Sequence, residues 1–145
     1  MKKFILKTRE RKLLADTLTP VNIYLKLRDV FAGSILLESS DYHGHENSLS
    51  FICSDPMASF QVDDDQVEIL LPDGSRELKK SDAILDQLQV FTQTFTPDGS
   101  LSSRYNPSGL FGYTTFDAIR FFESVSITKA EKGIPDILYK LYRYV

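Results

Sequence analysis

The stretch Gln66-Val67-Glu68-Ile69-Leu70-Leu71-Pro72-Asp73-Gly74-Ser75-Arg76-Glu77-Leu78 decides the fold class. Two runs with alternating apolar residues, 66–71 and 75–78, flank Pro72-Asp73-Gly74. An Asp-Gly step lets glycine take the positive φ that a tight reversal needs, so the segment reads as a β-hairpin. Hairpins pair their strands antiparallel. With helical segments elsewhere, the expected class is α+β, a largely antiparallel sheet with a few packed helices.

Upstream, Asp63-Asp64-Asp65 reads as a solvated turn. Adjacent carboxylates suit a divalent cation, but the ligand spacing of an EF-hand is absent. Extended runs are expected at 58–62, 50–53 and 34–38, the last two separated by the polar segment 39–48. Before them, Thr19 is a good N-cap and Pro20 suits the first helical position, where a missing N–H costs nothing. The spacing that follows puts Val21, Tyr24, Leu25 and Arg28 on one side of a short helix ending before Gly33, with Leu27 and Val30 adjoining. A short strand at 4–8 opens the chain.

Downstream, Ser81 is expected to cap a second helix, with Asp82 favourable at its positive end. Ile84, Leu85, Leu88 and Phe91 recur at helical spacing. Pro, Gly and Ser make 94–108 an expected loop. Gly109-Leu110-Phe111-Gly112-Tyr113-Thr114-Thr115-Phe116-Asp117 reads as an extended segment running into a short helix through Phe122, and 137–145 as a final strand. Without repeats or a long linker, 1–145 is read as a single domain.

The 42% hydrophobic and 26% charged residues exclude low-complexity disorder. A net charge of −3 and a pI near 5.4 give no field for nucleic acid or an anionic membrane. The basic residues Lys2, Lys3, Lys7, Arg9, Arg11 and Lys12 read as the solvated face of the opening strand. The single cysteine, Cys53, lies in Phe51-Ile52-Cys53 and reads as a buried strand thiol. His43 and His45 lie in a polar stretch and read as loop residues. No apolar run is long enough to span a bilayer or to serve as a signal peptide, which points to the cytoplasm. No nucleophile-elbow pattern and no phosphate loop occurs; Gly109 and Gly112 read as sites of close backbone packing. Neither catalytic residues nor metal ligands are expected in this chain.

Three stretches together resemble the N-terminal domain of the chorismate-utilising enzymes, most closely anthranilate synthase component I. They are Asp16-Thr17-Leu18-Thr19-Pro20-Val21 with Tyr24-Leu25-Lys26-Leu27, then Leu36-Leu37-Glu38-Ser39, then 109–123. The resemblance implies that Glu38 and Ser39 take part in an allosteric pocket for L-tryptophan. A zwitterionic amino acid needs an acceptor for its ammonium group and donors for its carboxylate. It further implies a larger parent enzyme, a lyase converting chorismate and ammonia to anthranilate and pyruvate in tryptophan biosynthesis. That parent would bind magnesium through its C-terminal half and pair with a glutamine amidotransferase subunit. The chain would then be the N-terminal regulatory part, without the catalytic half, inactive alone and prone to self-association through uncovered sheet. One departure stands out. The family carries a basic residue where this sequence has Ser48-Leu49-Ser50. Aminodeoxychorismate synthase component I is the nearest alternative, with Glu38 the discriminating residue; a standalone ligand-binding or interaction module is the other.

Overall fold

The computed structural model describes residues 2–38, 49–98, 108–125 and 133–145. In chain order the elements are β1 (Phe4–Lys7), α1 (Pro20–Arg28), β2 (Ile35–Glu38), β3 (Ser50–Asp63), β4 (Gln66–Leu70), β5 (Arg76–Lys80), α2 (Ile84–Thr92), β6 (Phe95–Asp98), β7 (Leu110–Thr114), a 3-10 helix (Phe116–Phe121) and β8 (Ile137–Tyr144). The class is α+β, as expected. One six-stranded sheet has the order β5-β4-β3-β8-β7, with β2 also pairing β3. The chain divides into two compact units: residues 1–10 with 58–141, and residues 11–57 with 142–145. The sequence reading drew no such boundary.

In the first unit the hairpin forms as read. Gly74 takes φ 81°, its amide donates to the Leu71 carbonyl (2.9 Å), and the Leu71 amide donates to the Ser75 carbonyl (2.9 Å). The ladder pairs Phe60 with Ile69 and Val62 with Val67. These four are fully buried, while the alternate residues Gln61 and Glu68 stay part-exposed, the period-2 pattern of a sheet with one covered face. The helix α2 buries Ile84 and Phe91. The Phe91 ring meets Phe60 at 5.7 Å and Phe95 at 5.2 Å, and Phe95 stacks on Phe4 at 6.1 Å. Burial of an aromatic ring of this kind stabilises by roughly 2–3 kcal/mol.

That aromatic row corrects the reading of 94–108 as loop throughout. Residues Phe95–Asp98 are a strand, β6, paired in parallel with β1, and the Phe4 amide donates to the Thr94 carbonyl at 2.8 Å. Residues 99–107 lie outside the described residues.

Three further expectations change. The runs 50–53 and 58–62 are one strand, β3, continuous through Pro56. Proline cannot donate to a ladder; Pro56 falls between Cys53, the first residue's partner in β2, and Ser59, where pairing to β4 begins. Asp55, with φ 59°, marks the irregularity. Ser81 does not cap α2. Its amide is engaged by the Asp65 carbonyl (3.0 Å), and the helix starts after Ala83, which has φ 45° and no side-chain cap. The Gln87 side chain donates instead to the carbonyls of Lys80 (2.9 Å) and Asp82 (2.6 Å), and Asp86 is the acid of the first turn. In α1, Thr19 caps as expected, its hydroxyl accepting from the Asn22 amide at 3.2 Å. Its covered face is Ile23, Tyr24 and Leu27, whereas Val21 and Leu25 are exposed.

Strands β7 and β8 pair antiparallel from Leu110 with Leu141 to Thr114 with Ile137. Gly112 sits opposite Tyr139, and a Cβ there would lie 1.8 Å from the Leu138 carbonyl oxygen. This is the close packing expected of Gly112, and the obstacle is backbone that cannot rotate away; at Gly109, where the same was expected, a Cβ would meet nothing within 4 Å. Gly112→Ala should therefore destabilise the fold by about 2–3 kcal/mol or more in urea unfolding; an unchanged midpoint would refute the close approach.

At the hairpin turn, the Ser75 hydroxyl (2.6 Å), Lys2 (2.9 Å) and the Ser75 amide (3.1 Å) converge on Asp73 and hold its carboxyl well below the usual carboxylate range. The stabilisation is fully present above the ordinary aspartate pKa and is lost as pH falls through the depressed value. An NMR pH titration should find Asp73 still ionised where ordinary exposed aspartates have protonated.

Candidate functional site

The residues to which the resemblance draws attention lie in the second unit, on the β2–β3 ladder. A turn feeds β2: the Ser34 hydroxyl donates to the Phe31 carbonyl at 2.7 Å, and Gly33 takes φ 78°. The end of β8 holds that turn. The Tyr142 hydroxyl donates to the Gly33 carbonyl at 3.0 Å, and the Phe31 and Tyr144 rings tilt together at 5.9 Å. Arg143 pairs with Asp55 at 2.9 Å beside the irregularity in β3.

The ladder pairs Ile35 with Cys53, Leu36 with Ile52, Leu37 with Phe51, and Glu38 with Ser50. Directly opposed residues share a face, as do residues two apart along each strand. Glu38 and Ser50 therefore share a face with the half-buried pair Leu36 and Ile52. The exposed Glu38 carboxylate accepts a hydrogen bond from the Ser50 hydroxyl at 3.4 Å. Among the described residues no cation pairs with Glu38.

Ser39, the second residue assigned by the resemblance, lies outside the described residues, as do His43, His45 and Ser48. In the sequence Ser50 opens the extended run 50–53 and closes the stretch without a basic residue. The register gives it a definite position, across the ladder from Glu38.

Cys53 is fully buried, and burial pushes its thiol up to about 11. Tyr142, also buried, is pushed up to about 12, by burial first and then by Cys53 and Tyr24. Both groups stay protonated near neutral pH, so they serve as packing and hydrogen-bonding groups, not as nucleophiles.

A second constellation lies in the first unit. Asp136 is 1% exposed and receives two hydrogen bonds from Arg120, at 3.1 and 2.5 Å. The Asp64 amide donates to the same carboxylate at 3.4 Å, and the Asp64 carboxylate lies 3.8 Å from Arg120. The Asp63-Asp64-Asp65 turn is thus tied to an arginine. An acceptor so fully engaged is a structural anchor and not a free base. The sequence carried no local signal for it. An open groove of about 640 Å³ between Asp65, Leu78, Lys80 and Asp82 belongs to this unit too. It mixes both charge signs without converging donors, and Glu38 has no part in it. Among the described residues no group of three or more His, Cys, Asp or Glu could hold a metal ion, and no helix is long and apolar enough to cross a membrane.

An α+β chain with an acidic residue and a hydroxyl paired at a strand end is a common arrangement, and no protein-family profile matches this one. The chain is similar to anthranilate synthase component 1 of Mycolicibacterium smegmatis, 30% identical over 138 residues, a match covering 90% of this chain and 25% of that protein. It is similar also to anthranilate synthase component 1 of Lactococcus lactis, 25% identical over 134 residues, covering 91% of this chain and 28% of that protein. The chain spans about a quarter of the length of these curated relatives.

The burial of Cys53 makes a direct prediction. At pH 8 a maleimide should label the folded protein far more slowly than the urea-unfolded chain, and rapid stoichiometric labelling of the folded state would contradict the assigned strand position.

Proposed function

We propose that this chain is the N-terminal regulatory part of an anthranilate synthase component I, contributing Glu38 and Ser39 to a feedback site for L-tryptophan. The observation that carries the reading is the agreement of two independent features. The similarity to two anthranilate synthase components runs over nine-tenths of the chain, and the register sets the Glu38 carboxylate on one face with the half-buried Leu36 and Ile52. A carboxylate is a good acceptor for an α-ammonium group, and an apolar surface beside it suits an indole.

On this reading the parent enzyme is a cytoplasmic lyase that forms anthranilate from chorismate. Its ammonia comes from a partner glutamine amidotransferase. The chemical steps and the magnesium belong to the portion of the relatives that this chain does not span; no residue here is assigned to them. Tryptophan acts by binding one conformational state better than another and so shifting the population away from the active one. The distinct alternative, an aminodeoxychorismate synthase component, gains nothing from the described residues.

Calorimetric titration of the full-length protein with L-tryptophan tests the proposal. Saturable binding is expected, weakened about tenfold in Ser39→Ala, the effect of losing one hydrogen bond to a charged group. Binding undiminished in that variant would remove Ser39 from the site, and no saturable binding would reject the reading.

A further inference from the structure

The backbone of β1 is only half used. Its amide at Phe4 donates to the Thr94 carbonyl, and the register from Phe4 with Phe95 to Lys7 with Asp98 is parallel. In such a ladder alternate residues bond to the neighbouring strand, so Phe4 and Leu6 turn their N–H and C=O toward β6. Ile5 and Lys7 turn theirs away, and these outward groups form a strand edge, a template for one more strand. Among the described residues β1 pairs with β6 alone. The outer side of β6 is a poorer template, because Pro97 has no N–H to donate.

Side chains decide what such an edge accepts. On one face of β1, Phe4 stacks on Phe95, while Lys2 pairs with Asp73 at 2.9 Å and lies 5.4 Å from the centre of the Phe4 ring. The other face presents Lys3, Ile5 and Lys7, all exposed, with Ile5 at 69%. Neither Lys3 nor Lys7 enters an ion pair among the described residues. The edge strand β5 differs: its Arg76 pairs with Glu68 at 2.7 Å and its Lys79 with Glu77 at 2.8 Å. The acid on the exposed face of β1 and β6 is Asp98, on the strand further from the edge. A second copy of β1 would set lysine against lysine, and like charges directly opposite are destabilising. A strand reading acid, apolar, acid at alternate positions matches Lys3, Ile5 and Lys7 in both charge and period.

We propose that β1 is a docking edge for an acidic extended segment of a partner protein, which adds as a strand beside it. Main-chain hydrogen bonds to Ile5 and Lys7 hold the segment, and its side chains supply the selectivity. The two acids meet Lys3 and Lys7, and the apolar residue between them covers Ile5. The aromatic row of Phe4, Phe95, Phe91 and Phe60 supports the edge from the opposite face.

The experiment titrates a dye-labelled, capped peptide of alternating glutamate and valine into the full-length protein, with anisotropy for affinity and hydrogen–deuterium exchange for location. Saturable binding is expected, with added protection over Phe4–Lys7. Reversing both charges, Lys3→Glu with Lys7→Glu, should weaken that peptide about tenfold and turn the preference to a lysine–valine peptide. Both lysines are exposed, so the variant should fold. The glutamate–valine peptide methylated at alternate backbone nitrogens should bind at least about tenfold more weakly, since it cannot complete a ladder. No saturable binding, or protection confined to other segments, would overturn the proposal. So would a methylated peptide that binds equally well, which would leave charge attraction without strand addition, or a preference unmoved by the double reversal. Adsorption to phosphatidylglycerol vesicles without peptide binding would give the lysines to a lipid surface and overturn it as well.

Discussion

The buried ion pair between Asp136 and Arg120 is the interaction on which the larger unit depends. A carboxylate taken out of water is stable only when its lone pairs are engaged, and removing one partner of such a pair costs about 3–5 kcal/mol. Arg120 supplies two donors from the 3-10 helix, and its guanidinium lies 4.5 Å from the Phe121 ring centre. The backbone of Asp136 is equally committed. Its amide donates to the Val62 carbonyl in β3, and its carbonyl accepts from Thr115, just after β7 (both 2.8 Å). One residue before β8 therefore fixes the end of β3, the β3–β4 turn through Asp64, and the exit of β7. The register that brings Gly112 against the Leu138 carbonyl follows from that placement.

The strand that begins beside Asp136 ends at Tyr142, Arg143 and Tyr144, and these three contact Gly33, Asp55 and Phe31 respectively. They meet the turn into β2 and the irregularity in β3. The candidate site lies on the β2–β3 ladder. Its chemistry is spare: a carboxylate, a hydroxyl and an apolar pair on one face of a short ladder.

Much of this was legible in the sequence because the signals were local. Asp73-Gly74 announced the hairpin, Thr19-Pro20 the start of α1, and Gly112 a close approach. What was not legible depends on partners far away in the chain. Phe95–Asp98 form a strand only because Phe4–Lys7 lie alongside, and nothing near Phe95 signals that. Ser81 looked like a cap because its chemistry fits, yet its amide is bound by Asp65 at the close of the hairpin. The runs 50–53 and 58–62 read as two strands, yet the backbone continues through Pro56 as one. Leu25 and Val21 matched the helical period but lie on the exposed side, because a nine-residue helix with few apolar neighbours leaves the choice of face to tertiary contacts. For the site, the resemblance supplied Glu38 and Ser39, while the partnership of Glu38 with Ser50 required the ladder register.

The central claim is that an aromatic ligand with an ammonium group binds on the β2–β3 ladder. Hydrogen–deuterium exchange of the full-length protein, with and without saturating L-tryptophan, tests it directly, because ligand binding should suppress local opening of the strands it touches. The account predicts added protection in peptides covering Ile35–Glu38 and 50–53. Exchange unchanged in those peptides, with protection appearing elsewhere in the protein, would contradict it.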